Sequence, residues 1–152
     1  IVVSGVLVVS LFVSGTLLAQ GVLKTDMSSP KQVVKARKYL MKTVKLNRGD
    51  AFKKLEAGNI ADIQANGAAM VIMGKVMPPL FKEKYESAYD GTGKYYKGAS
   101  PAEFEAAAEV LRMAAQNLRM YSEKGNKDGV TKALGDVKQS CSACHTAYRG
   151  KY

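Results

Sequence analysis

The first nineteen residues differ sharply from the rest of the chain in their pattern of hydrophobic and polar positions. Residues 1–19 contain no charged residue, and the first charge in the chain is Lys24. An apolar run of this length is typical of a signal peptide, or of a helix just long enough to cross about 30 Å of hydrocarbon. Leu17 stands where a cleavage site prefers a small residue, which favours a retained anchor. We therefore predict a membrane anchor or signal peptide over 1–23 and one folded domain over 24–152.

Four later stretches place apolar residues at the three- and four-residue steps of an α-helix. The first opens at 29–30, where a serine cap precedes a proline at the first helical position, and runs to about Leu46. The second begins near Asn59 and is stopped by the two prolines at 78–79. These two stretches predict a pair of helices joined by a short connection.

The third and fourth stretches predict a second helical pair. Ser100 and Glu103 form a capping box around a proline, and Gly125 ends the helix that follows. The fourth helix carries its apolar residues on one seam from Val130 to Tyr148. Short connections within each pair imply antiparallel neighbours, so we predict an all-α, antiparallel four-helix bundle preceded by the hydrophobic N-terminal helix. No strand pattern competes with this prediction.

The connection between the second and third helices, residues 78–99, is longer than most loops. It holds several aromatic residues among three glycines, which we expect to pack over one end of the bundle. These are Phe81, Tyr85, Tyr89, Tyr95 and Tyr96.

Charge narrows the choice of partner. The chain has 23 Lys and Arg against 13 Asp and Glu, a formal net charge of +10, and the whole excess lies after residue 23. An exported chain without a nucleic-acid motif makes nucleic acid an unlikely partner. An acidic redox protein, a membrane electron-transfer complex or anionic lipid headgroups fit better.

The two cysteines and the single histidine stand together as Cys-Ser-Ala-Cys-His at 141–145. This spacing is the signature of a c-type haem, in which two thiols form thioether bonds to the vinyl groups and the next residue ligates the iron. A zinc site needs four ligands, and the chain has neither a third cysteine nor a second histidine. We therefore predict one covalent haem c, attached through Cys141 and Cys144, with His145 as an axial iron ligand. The cysteines share the seam of apolar residues, so we expect the haem in the core.

The motif continues into Tyr148 and Arg149, and the first helix carries Arg37 four residues before Met41. In these features the chain resembles the class II cytochromes c, which are cytochrome c′ and its low-spin His/Met relatives. The resemblance covers roughly residues 30–152 and implies a four-helix bundle with one haem.

The resemblance also implies roles for residues around the haem. Arg37 would neutralise a haem propionate, and Arg149 would lie beside the proximal imidazole. Met41 would be either the second axial ligand or a packing residue over an open iron face. A methionine fits both uses, so the residue type alone does not distinguish them. Tyr148 is most simply interpreted as an aromatic residue packed against the porphyrin.

The alternative roles of Met41 and of the N-terminal segment correspond to three candidate functions. Iron ligation by Met41 indicates one-electron transfer, and we favour a carrier anchored at the periplasmic face of a bacterial cytoplasmic membrane, beside its redox partner. The leading alternative is a soluble periplasmic cytochrome c′ that binds NO or CO at five-coordinate haem, with 1–19 removed. A third is an accessory haem subunit of a membrane complex. We expect no enzymatic activity, because the sequence shows no paired carboxylates for acid–base catalysis. The resemblance also implies a homodimer through the first two helices.

Overall fold

A computed structural model of the chain describes residues 29–85 and 94–151. In this part of the chain the elements are α1 (Pro30–Glu56), α2 (Ile63–Leu80), β1 (Lys94–Tyr96), α3 (Pro101–Glu123), α4 (Lys127–Tyr148) and β2 (Arg149–Lys151). Consecutive helices pack against each other, and α1 also packs against α4. The predicted all-α four-helix bundle is thereby confirmed. The predicted segment 1–23 lies outside the described residues. Among the residues that the structure describes, no helix is long and apolar enough to cross a membrane.

The caps that mark the helix starts in the sequence are formed in the structure. The side chain of Ser29 accepts a hydrogen bond from the backbone N–H of Gln32 at 3.2 Å. Ser100 and Glu103 form the reciprocal capping box, with bonds of 3.2 and 3.0 Å. Asn126 caps α4 by accepting from the N–H of Gly129 at 2.9 Å. Each cap satisfies backbone donors that a helix start leaves without partners.

The prediction that the first helix ends near Leu46 is wrong, because α1 continues to Glu56. Its last turns are held by tertiary contacts with α2. The buried side chain of Asn66 donates to Asp50 Oδ2 at 2.9 Å and to the backbone oxygen of Asn47 at 3.2 Å. Ala51 is fully buried on the same stretch of helix.

Two details of α2 also differ from prediction. Residues 60–62 form turns, and the helix begins at Ile63 rather than near Asn59. Pro78 and Pro79 lie inside the last turn, and the helix ends just after them at Leu80. Each proline lacks the N–H that would donate to the carbonyl four residues earlier, so the helix ends within one residue of the pair. The N–H of Phe81 closes the turn by donating to the carbonyl of Pro78 at 3.0 Å.

The structure also contains two short strands that the sequence pattern did not indicate. β1 pairs antiparallel with β2, and Tyr95 lies opposite Gly150. The N–H of Lys97 extends the contact by donating to the carbonyl of Tyr148 at 2.8 Å. Strands of three residues are too short to carry a visible alternation of polar and apolar positions.

Aromatic side chains cover the end of the bundle beside this ribbon, as predicted for Phe81 and Tyr96. The Phe81 ring stacks on Phe104 at 4.8 Å between centroids, and Tyr96 meets both rings edge-on at 5.2 and 5.8 Å. Tyr89 lies outside the described residues. The cluster is continuous with the hydrophobic core, whose largest fully buried apolar side chains are Ile63, Met70, Leu118, Val130, Leu134 and Val137.

Candidate functional site

One cavity of about 550 Å³ opens along α1 and α4, within the range of about 300–1,000 Å³ that is usual for cofactor sites. All seven residues predicted for the site line it. They are Arg37, Met41, Cys141, Cys144, His145, Tyr148 and Arg149. The cavity is a cleft that reaches the surface, since His145 and Arg149 are exposed, rather than a space enclosed by the core.

The last two turns of α4 hold the Cys-Ser-Ala-Cys-His motif. Cys141 and Cys144 are half-buried and are not joined by a disulfide. Steps of three and four residues bring side chains onto one face of a helix, so both thiols and the imidazole of His145 border the same space. Burial, and secondly the neighbouring Cys141, raise the pKa of the Cys144 thiol.

Arg149 lies against the imidazole, as the resemblance implies. Its Nη1 is 3.4 Å from Nδ1 of His145, one helical turn earlier. Arginine carries only donors, so this contact is a hydrogen bond only in the tautomer whose Nδ1 has no proton. When Nε2 ligates a metal, the neutral imidazole carries its proton on Nδ1, so Arg149 then packs against the ring and does not donate to it.

Arg37 is 3% exposed, and the structure gives it a role that sequence analysis missed. Its Nε donates to the backbone oxygen of Leu80 at 2.5 Å, and its Nη2 donates to that of Glu83 at 2.6 Å. Its guanidinium carbon lies 4.8 Å from the Phe81 ring centre and 5.2 Å from that of Tyr96. The third nitrogen, Nη1, is buried without a hydrogen-bond partner among the described residues. A buried cationic donor of this kind fits a carboxylate such as a haem propionate.

Met41 lies one turn from Arg37 and is half-buried at the cavity wall. A second methionine, Met77 of α2, lines the same cavity and is 4% exposed. The helical spacing of Met77 marks it as a core residue, and nothing in the sequence distinguishes it from the other methionines. Two thioethers therefore border the space into which the motif of α4 projects.

Tyr148 closes the cavity at the aromatic end of the bundle. Its ring packs against Phe104 at 5.5 Å, and its hydroxyl donates to the backbone oxygen of Glu103 at 3.4 Å. Desolvation, and secondly the charge of Glu103, raise the pKa of the phenol. Packing against Phe104 dominates over the long hydrogen bond, and contact of Tyr148 with the porphyrin stays a prediction.

Sequence analysis missed four cations that also border the cavity. They are Lys38, Lys42, Lys45 and Arg48. The lysines are exposed and Arg48 is half-buried. The helical spacing could have identified Arg48 as a cavity residue, because it stands seven residues after Met41 and eleven after Arg37, on the same face of α1.

These features fit a covalently held haem. The site supplies two thiols and an imidazole from one helix, an arginine with an unsatisfied donor, and apolar walls that include Val44, Leu111 and Phe104. Cys141 and Cys144 would hold the porphyrin, His145 the iron, and Arg37 a propionate. When bound, the haem supplies an iron that alternates between ferric and ferrous states and coordinates small ligands.

The family model described as Cytochrome C′ matches residues 32–149, most of the chain. The chain belongs to the cytochrome c′ family. This confirms the resemblance to class II cytochromes c, and with it the cofactor, one covalent haem c. No curated protein matches the chain significantly.

Solved cytochrome c′ structures share this fold. The protein from Thermochromatium tepidum is 23% identical, and the match covers 81% of this chain and 98% of that chain at a TM-score of 0.66. A ferrous variant from Alcaligenes xylosoxidans with bound NO is 21% identical, with coverages of 84% and 100% and a TM-score of 0.66. A cytochrome c′ with ligand-controlled dimer dissociation is 21% identical, with coverages of 81% and 98% and a TM-score of 0.65.

Proposed function

We propose that this cytochrome c′ binds a small neutral diatomic molecule, NO or CO, at the haem iron. The observation that carries the proposal is the apolar wall of the cavity around Met41. His145 is the only imidazole in the chain, so a second histidine ligand is excluded. Apolar residues that line the cavity with Met41 include Val34, Val44 and Leu111, which offer no atom that ligates iron.

An apolar wall suits a neutral diatomic ligand, because such a ligand needs no hydrogen-bond partner in the cavity. In this proposal Met41 is a packing residue that the incoming ligand displaces. Methionine is suited to the role, since its unbranched chain changes rotamer readily. The NO complex of a solved cytochrome c′ variant supports the proposal. The protein is then a binding protein rather than an enzyme.

One-electron transfer is the second candidate, and the thioether of Met41 favours it. A methionine ligand stabilises ferrous iron, raises the reduction potential and closes the iron to gases. A carrier of this kind would exchange electrons with an acidic redox protein or a membrane complex, toward which the net charge of +10 would steer it. An accessory haem subunit of such a complex is a special case of this candidate.

Visible absorption spectra of the haem-loaded protein, ferric and ferrous, with and without CO, distinguish the two functions. We expect a high-spin spectrum that shifts when CO is added to the ferrous protein. A low-spin spectrum indifferent to CO, with a weak band at the red end that disappears in Met41→Leu, would overturn gas binding. Met41→Leu is a matched control, because leucine has a similar volume and lacks the thioether.

We propose an exported, periplasmic location, since haem c is attached covalently outside the bacterial cytoplasm. We further propose a homodimer through α1 and α2. Two exposed hydrophobic residues on each helix support it, namely Tyr39 and Leu46 of α1 and Ile72 and Val76 of α2. Sedimentation of the wild-type protein and of Ile72→Glu would test it, and a wild-type monomer at micromolar concentration would contradict it.

A further inference from the structure

The charge of the cavity lining is entirely of one sign. Six side chains that line it belong to lysine or arginine, and among the described residues that border it none is aspartate or glutamate. The ion-paired carboxylates of the described bundle pair elsewhere, as Asp50 does with Lys54 at 2.7 Å and Asp136 with Lys132 at 2.9 Å. The side chains that line the cavity therefore give it a positive potential, which attracts anions.

Arg48 supplies a specific hydrogen-bond donor inside this positively charged cavity. Its side chain lines the cavity, and its Nε is buried without a hydrogen-bond partner among the described residues. A buried donor without a partner is costly, so Arg48 needs an acceptor that reaches it inside the cavity. A carboxylate on the surface of a docked protein cannot enter to meet a buried atom, whereas a small ion can.

Arg48 is separate from the arginine that fits a haem propionate. Arg37 and Arg48 are eleven residues apart on α1, so their backbones are ~16 Å apart along the helix axis. Arg37 is fixed at the aromatic end of the bundle by its bonds to the backbone oxygens of Leu80 and Glu83. An acceptor bound to Arg37 there does not satisfy Arg48.

Two lysines mark a route by which an ion reaches Arg48. Lys45 and Lys42 lie one and two turns before it on α1, are exposed, and line the same cavity. Exposed cations at a cavity mouth raise the local concentration of anions, and a guanidinium farther inside binds planar oxyanions through its fork of donors.

We propose that Arg48 and the adjoining lysines form a binding site for a small inorganic oxyanion, of the size and charge of nitrite, within the haem cavity. This inference goes beyond the proposed function, because anion binding at Arg48 requires no free position on the iron. It gives the cavity two ligand classes, a neutral diatomic at the iron and an anion at Arg48.

The test measures the thermal midpoint of the ferric haem-loaded protein in increasing sodium nitrite. Sodium gluconate, whose anion is too bulky for the site, keeps the ionic strength constant. An anion that binds only the folded state raises the midpoint by about 3–5 °C at ten times its dissociation constant. We expect this rise in the wild-type protein and in Lys53→Met, which removes an exposed α1 cation that does not line the cavity. We expect less than about 1 °C in Arg48→Met and an intermediate rise in Arg48→Lys.

An equal rise in Arg48→Met and wild type would overturn the proposal. So would the absence of a rise in the wild-type protein, a result that does not depend on the folding of any variant. If a haem propionate is the partner of Arg48, Arg48→Met lowers the midpoint without nitrite and wild type does not respond to nitrite, which also overturns it. Adding CO to the ferrous protein tests gas binding separately, so the two proposals fail independently.

Discussion

Arg37 donates through Nη2 to the backbone carbonyl of Glu83, across 2.6 Å and 46 residues of sequence. With the second bond to Leu80, this contact fixes the segment after α2 to the first helix. The residue that the family resemblance assigns to a propionate therefore also holds one wall of the cavity. Its remaining buried donor, Nη1, is aligned for an anion by contacts that do not depend on the cofactor.

Replacing Arg37 by methionine should destabilise the haem-loaded protein by about 2–4 kcal/mol, because two charge-assisted hydrogen bonds and a cation–π stack are lost. Denaturant unfolding followed by far-UV circular dichroism measures the change. Lys35→Met is the matched control, an exposed cation on the same helix, expected to change stability by less than about 0.5 kcal/mol. Equal effects of the two variants would contradict the structural role of Arg37.

Gly67 of α2 should tolerate no side chain. A Cβ there would lie 2.7 Å from the backbone nitrogen and 2.9 Å from the Cα of Arg119, and backbone atoms cannot turn aside. We expect Gly67→Ala to cost about 1–3 kcal/mol by forcing α2 and α3 apart.

Gly49 offers the opposite case on α1, since a Cβ there meets nothing within 4 Å. Gly49→Ala should stabilise the protein by about 0.5–1 kcal/mol, the helix preference of alanine over glycine. Thermal unfolding of both variants measures the difference. A destabilised Gly49→Ala would show that α1 does not continue through this position.

The capping box should give stability a dependence on pH. Hydrogen bonds from the side chain and then the backbone of Ser100 lower the pKa of Glu103 below its ordinary value of 4.5. A lowered folded-state pKa stabilises the protein above pH 4.5, and this contribution is lost as the pH falls through the folded-state value. Glu103→Gln should therefore be less stable than wild type at pH 7, and the difference should shrink toward pH 3. A difference independent of pH in denaturant titrations would refute this.

One of the two cysteines should be enough to keep the haem covalently attached. In Cys144→Ala the thioether to Cys141 remains, so the mass of the denatured protein should still include the haem. The double variant Cys141→Ala, Cys144→Ala should lose it. Mass spectrometry under denaturing conditions measures this, with Ser142→Ala as a control that also lines the cavity. Retention of haem by the double variant would exclude thioether attachment.

The helices could be predicted from the sequence because their signals are local. Ser29, Ser100 and the alternating apolar steps act within a few residues of where they stand. The extension of α1 to Glu56 could not be predicted in this way, because it depends on Asn66, which reaches Asn47 and Asp50 from another helix.

Some residues of the site could likewise be predicted from the sequence, and others could not. Cys141, Cys144 and His145 form a contiguous motif, so their chemistry could be predicted from the sequence without knowledge of the fold. The backbone partners of Arg37 at Leu80 and Glu83 carry no side-chain signal, since any residue supplies a carbonyl oxygen. Arg48 was missed because a cation in a lysine-rich helix is usually solvated, and only the cavity distinguishes it from its neighbours.

The short ribbon of β1 and β2 affects the order in which the chain folds and receives its haem. Its pairing of Lys94 with Lys151 closes a loop that contains α3, α4 and the cysteine motif. Pairs so distant in sequence form late, because the entropy of closing the loop is lost before the contact is gained. We therefore expect the thiols to be open to the attachment machinery until the ribbon forms, so that cofactor delivery precedes closure of this end of the bundle.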